Sequence, residues 1–92
     1  ADGGPGYAVV VDHPGVQLSA LKLADDGSGD VIVRLFEAVG DRADVGVLLP
    51  WAIASAERVN LLEDPGEPVG VIGGAARLTM RPFELVTLRL RR

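Results

Sequence analysis

His13 is the only histidine in the chain, so any nucleophile-and-base arrangement has to be built on it. Such chemistry needs a Ser, Thr or Cys hydroxyl or thiol within hydrogen-bond reach of the imidazole, with a carboxylate to orient the ring. Ser19 and Ser28 are the hydroxyls that a fold could bring to it, but nothing in their spacing aims them there. Standing before Pro14-Gly15, His13 reads as a turn residue. The chain has no cysteine, which removes thiolate chemistry, disulfides and sulfur-ligated zinc. One imidazole among scattered acids is a poor ligand set for that metal. No catalytic residue and no metal ligand is assigned.

The run Asp25-Asp26-Gly27-Ser28-Gly29-Asp30 invites comparison with a calcium loop, in which carboxylate oxygens recur at alternating positions. Gly27 and Gly29 stand where the third and fifth ligands belong, so the segment reads as a turn. Gly70 to Gly74 lacks phosphate-loop spacing, and a β-rich segment follows where a helix should start. Glycoside hydrolysis needs two carboxyls facing each other about 5 to 9.5 Å apart. Glu37, Glu57, Glu63 and Glu84 supply the group, but without a cleft they read as surface charges. Sugar binding without catalysis would use aromatic platforms. Phe36 and Phe83 lie inside apolar runs and are expected in the core, leaving Trp51 and Tyr7 as candidate platforms. Trp51, directly after Pro50, reads first as a core or domain-contact residue.

The elements that must position these residues come from a chain of 92 residues, 48% hydrophobic and 24% charged. That is enough for one globular domain and too apolar for disorder. The opening Asp2-Gly3-Gly4-Pro5-Gly6 has linker composition. Residues 1–6 are therefore read as a linker and 7–92 as the domain, with the expectation of a cut from a longer chain. No apolar run approaches the roughly 20 residues that span a bilayer, and no export signal is seen, so a membrane is not an expected partner and a cytoplasmic setting is the default. Of the net charge of −4, residues 77–92 hold five arginines against one glutamate, while the first seventy-six residues hold four basic and twelve acidic groups. An acidic body argues against nucleic acid. The arginine-rich tail reads as a solvated strand face beside acidic neighbours.

Short β-branched runs punctuated by Gly, Asp and Pro predict an all-β fold, an antiparallel β-sandwich of about eight short strands. Tyr7 to Asp12 is the first run. Val16 to Ala24 is the second, and its apolar parity switches from Val16 and Leu18 to Leu21 and Leu23. A strict period of two cannot contain that switch, so a bulge near Ser19 or Ala20 is expected. Val31 to Val39 reads as a central strand, because Ile32 and Phe36 make its second face apolar as well. Gly40-Asp41-Arg42 is expected to close a hairpin into Val45, Val47 and Leu49. Trp51 to Glu63 has helix-forming residues but odd apolar parity and no N-cap, and is taken as extended. Gly73-Gly74 is a tight turn, and Phe83 to Arg91 is the last strand, with Val86, Leu88 and Leu90 facing one way.

Leu18-Ser19-Ala20-Leu21-Lys22, the turn from Ala24 to Gly29, Val33-Arg34-Leu35-Phe36-Glu37-Ala38 with Gly40, Asn60-Leu61-Leu62-Glu63 and the closing Leu78 to Leu90 together resemble the C-terminal region of family 38 glycoside hydrolases, the α-mannosidases. The match runs in order from about Val16 to Arg91. Asn60 and Phe36 depart from the family's usual Asp and Tyr. The resemblance implies a noncatalytic β-sandwich behind the catalytic part of a retaining α-mannosidase, whose zinc ion and Asp nucleophile lie on other residues of the parent. None of those positions can be carried onto this sequence. The expected partner is the catalytic domain of the same parent chain, with mannosides reached only through it.

Among the residues shared with that family, Ser19, Lys22, Arg34, Glu37 and Glu63 read as turn, bulge and interstrand contacts. Arg34, Glu37 and Glu63 are the candidates for interdomain contact. Two alternatives stand beside the accessory role: an autonomous carbohydrate-binding module using Trp51 or Tyr7, and a protein-interaction sandwich.

Overall fold

The computed structural model describes residues 9–24, 26–60 and 66–91, and every regular element among them is a strand. In chain order these are β1 (Val10–Val11), β2 (Val16–Leu23), β3 (Val31–Glu37), β4 (Ala43–Leu48), β5 (Ser55–Val59), β6 (Pro68–Ile72), β7 (Ala75–Met80) and β8 (Leu85–Arg91). All neighbours pair antiparallel, in the order β1-β4-β7-β6-β5-β8-β3-β2. One continuous sheet is thus folded over into a nearly closed, barrel-like sandwich. Its hinge is the β5–β6 joint, and its two ends, β1 and β2, approach each other.

The expected bulge is present. Leu18 pairs with Leu35 and Ala20 with Arg34, leaving Ser19 as the extra residue. The insertion lets Val16, Leu18, Leu21 and Leu23 all lie opposite the inward residues of β3, so the parity switch costs the sheet no change of face. Ser19 Oγ donates to the Arg34 carbonyl at 3.4 Å.

Leu35, Met80, Leu88 and Leu90 are the largest apolar side chains closed off between the two halves, with Val31, Val33, Val45 and Val47 around them. β3 is central, between β2 and β8, and buried Ile32 on its outer face fits the two-sided apolar pattern. Within the stretch expected to be extended, Ser55–Val59 forms β5, while Leu61 to Glu63 lie outside the described residues. Gly73 and Gly74 turn β6 into β7 with φ of 61° and 80°, the paired positive values of a two-residue hairpin loop that glycine adopts without strain.

Three expectations are corrected. Gly40-Asp41-Arg42 does not close a hairpin, because β3 pairs with β2 and β8 whereas β4 pairs with β1 and β7; the segment is a corner carrying the chain from one half to the other. Phe83 is 62% exposed rather than in the core, since β8 begins only at Leu85 and Phe83 lies in the turn before it, with φ of 58°. Phe36 is only half-buried, because its parity places it on the outer face of β3 opposite Leu85 and Gln17.

Candidate functional site

The β3–β4 corner and the β7–β8 turn meet around one carboxylate. Glu37 shares parity with Val31, Val33 and Leu35, so the strand's pleat turns it inward. There it is fully buried, 0% exposed. Its Oε1 accepts the backbone N–H groups of Gly40 at 2.7 Å, Phe83 at 2.9 Å and Asp41 at 3.1 Å, while Oε2 accepts that of Val39 at 3.1 Å. The Phe83 N–H, and with it the amides of Gly40, Val39 and Asp41, holds the Glu37 carboxyl below its ordinary value of 4.5 despite the opposing effect of burial. Four donors directed at two oxygens stabilise the ionised form, as in other backbone nests.

A second carboxylate pins the same turn. Glu84 Oε1 accepts the Arg81 backbone N–H at 2.8 Å, and Oε2 pairs with Arg58 Nη1 at 3.3 Å. The Glu84 carbonyl accepts the Glu37 N–H at 3.0 Å, closing the circuit. Gly40 has φ of 87° and lies under the Phe83 ring, where a Cβ would come within 2.7 Å of it. Val39, Phe83 and Leu85 therefore stand exposed at one end of the β3–β8 pair, on backbone fixed by Glu37.

Arg34, a candidate for interdomain contact, lies half-buried on the outer face of β3 between Ala20 and Thr87. Its Nε is buried and has no hydrogen-bond partner. Glu37, the second candidate, commits its carboxylate to the chain's own backbone. Glu63, the third, and Tyr7, a candidate platform, lie outside the described residues. Trp51 is half-buried and packs against the core, which fits its core reading better than an open stacking face.

His13 and Ser28 are engaged separately. His13 Nδ1 accepts the Gly15 N–H at 3.0 Å; Ser28 Oγ accepts the Asp30 N–H and an Arg89 N–H, both at 3.1 Å. Of the acids in the turn, Asp26 meets Arg89 at 2.6 Å, and Asp30 meets Arg89 at 2.7 Å and Arg91 at 3.2 Å. Arg89, followed by Ser28, holds the Asp26 carboxyl far below the usual range, and the two aspartates raise Arg89 in turn. Glu57 pairs with Arg91 at 2.7 Å. Among the described residues no three His, Asp or Glu side chains are grouped to hold a metal ion. The arginines of β8 do lie beside acids, but Arg89 is buried rather than solvated, because Asp26 and Asp30 cover it; parity did not show that Glu37 and Glu84 would converge on one turn.

Residues 15–88 match the family described as the glycosyl hydrolases family 38 C-terminal beta sandwich domain. No curated protein matches the chain.

Proposed function

The chain belongs to the C-terminal beta sandwich domain family of glycosyl hydrolases family 38, and on that premise we propose that it is a noncatalytic accessory domain that packs against the catalytic part of a retaining α-mannosidase and stabilises it. The family match carries this reading. Two features of the fold support it. A bulky residue at positive φ is uncommon and persists where its surroundings over-determine it. Here Glu37 and Gly40 hold Phe83 in that geometry with its ring outward, beside Val39 and Leu85. Arg34 adds a buried N–H without an internal acceptor, a costly state that a carbonyl or carboxylate of a docked domain would relieve.

In this reading the domain's part in hydrolysis is mechanical. Zinc and the nucleophile are assigned to the catalytic part, because among the described residues no three His, Asp or Glu side chains are grouped to hold a metal ion. The domain contributes apolar area at the corner, at about 25 cal/mol per Å² removed from water, and holds the surface that it covers.

The test is a parent enzyme carrying Phe83→Ser with Leu85→Ser in this domain. Faster thermal inactivation with an unchanged KM for an α-mannoside is expected. An unchanged inactivation rate, or hydrolysis of an α-mannoside by the purified 92-residue chain with or without zinc, would overturn the proposal.

A further inference from the structure

The β4–β7 ladder ends at the pairs Asp44–Thr79 and Ala43–Met80. Continued by one pair, the same register sets Arg42 opposite Arg81, on the outer face that also carries Asp44 and Thr79. Like charges facing each other across neighbouring strands repel, so an anion between Arg42 and Arg81 would be favoured. Both side chains are exposed. Among the described residues neither makes a side-chain hydrogen bond or ion pair.

Three of the nearby acids are already engaged. Asp44 accepts the Thr79 hydroxyl at 2.8 Å, Asp12 pairs with Arg77 at 3.1 Å, and Glu84 is taken by Arg58 and the Arg81 amide. All four arginines line one cleft of about 880 Å³, with Glu67 and Glu84 as its carboxylates. β5 and β6 share a short ladder, Ala56–Val69 and Glu57–Pro68, continued by the Arg58 N–H, which donates to the Glu67 carbonyl at 2.8 Å. Past that joint Arg58 reaches across to the Thr79 carbonyl at 3.2 Å, leaving a concave floor. Four arginines against two carboxylates, one of them paired with Arg58, give the cleft an excess of positive charge that focuses its field on an anion. The net charge of the whole chain is −4.

We propose that this cleft is a binding site for an oxyanion group, a phosphate or sulfate, with Arg42 and Arg81 gripping it and Arg58 and Arg77 shaping the floor. The planar fork of arginine presents parallel N–H donors that match two oxygens of such a group, and a bridging dianion turns the Arg42–Arg81 repulsion into two attractions. The site does not rest on the accessory role.

The test is a titration of the isotope-labelled chain with inorganic phosphate, a hexose 6-phosphate and the neutral hexose at constant ionic strength, observing the arginine Nε–Hε signals. Saturable shifts at Arg42 and Arg81 with both phosphates, and none with the hexose, are expected. Tighter binding of the hexose phosphate identifies a sugar-borne group, and equal binding identifies the free oxyanion; both support the site. Arg42→Gln with Arg81→Gln should lose about tenfold or more in affinity, the worth of a charge-assisted hydrogen bond, while Arg91→Gln binds like the parent. Unsaturable shifts, equal affinity in the double variant, or an equal loss in Arg91→Gln would overturn the proposal.

Discussion

The carboxylate of Glu37 accepts the backbone N–H of Phe83 at 2.9 Å across 46 residues of chain. It joins the end of β3 to the turn that starts β8. Because the amides bond more strongly to the ionised carboxylate than to the acid, the contribution of this bond depends on pH.

Glu37 lies below its ordinary 4.5 in the folded chain, so the unfolded state takes up its proton first as the medium is acidified. The stabilisation is fully present above about pH 5 and is lost as pH falls through 4.5 toward the folded value. Asp26 and Asp12, both below their ordinary 3.8, extend the loss at lower pH. Urea midpoints measured from pH 7 to pH 3 should be flat and then decline. Glu37→Gln should lower the midpoint at pH 7, where its amide cannot accept all four donors, and shrink the first part of the decline. An unchanged profile in the variant would show that the nest contributes nothing to stability.

Gly40→Ala should destabilise the chain by about 1–2 kcal/mol from left-handed backbone strain alone, with a further loss as the new methyl displaces the Phe83 ring. Gly29→Ala is the matched comparison, since its φ is 83° with nothing near the added carbon. Thermal melts of the two variants should place Gly40→Ala clearly lower; equal melts would mean that the ring contact is unimportant.

Arg89→Met should release Asp26 and Asp30 together while leaving the aliphatic path across β8 filled. The Asp26 carboxyl then returns upward toward 3.8, because Arg89 is the main cause of its depression. Carboxyl carbon shifts followed by NMR report the change directly, and faster amide exchange at Ser28 and Asp30 should accompany it. An Asp26 titration that stays where it was would assign the depression to Ser28 instead.

Deleting Ser19 should leave the fold intact, at a cost within about 1 kcal/mol, the worth of one hydrogen bond, because the extra residue is simply removed and the residues on either side keep their partners. Deleting Arg34 should unfold the chain, since it turns either Val31 and Val33 or Leu35 and Glu37 to the wrong face. Circular dichroism separates these outcomes. A folded Arg34 deletion would contradict the register described here.

Period-two arithmetic made most of the strands legible, and the bulge at Ser19 followed from one change of parity. The same arithmetic held two signals that residue type obscured. Glu37 falls in phase with Val31, Val33 and Leu35, which places it inside although an acid is expected outside. Phe83 falls in phase with Leu85, Thr87 and Arg89, away from Val86 and Leu88, although an aromatic ring is expected inside. Gly40-Asp41-Arg42 has the composition of a hairpin and of a corner alike, and only the partners of β3 and β4 distinguish the two. The arginine cleft had no sequence signature, because its lining comes from segments far apart in the chain, Arg42, Arg58 and Arg77 to Glu84.

β8 comes after all the other strands in the chain, yet it sits between β3 and β5, hydrogen-bonded to both. A nascent polypeptide lacking it has two strands with unfilled edges and a core without Leu88 and Leu90. Ribosomal synthesis therefore yields no stable intermediate product of this domain, and a premature stop before Leu85 leaves material for the proteases rather than a weakened sandwich.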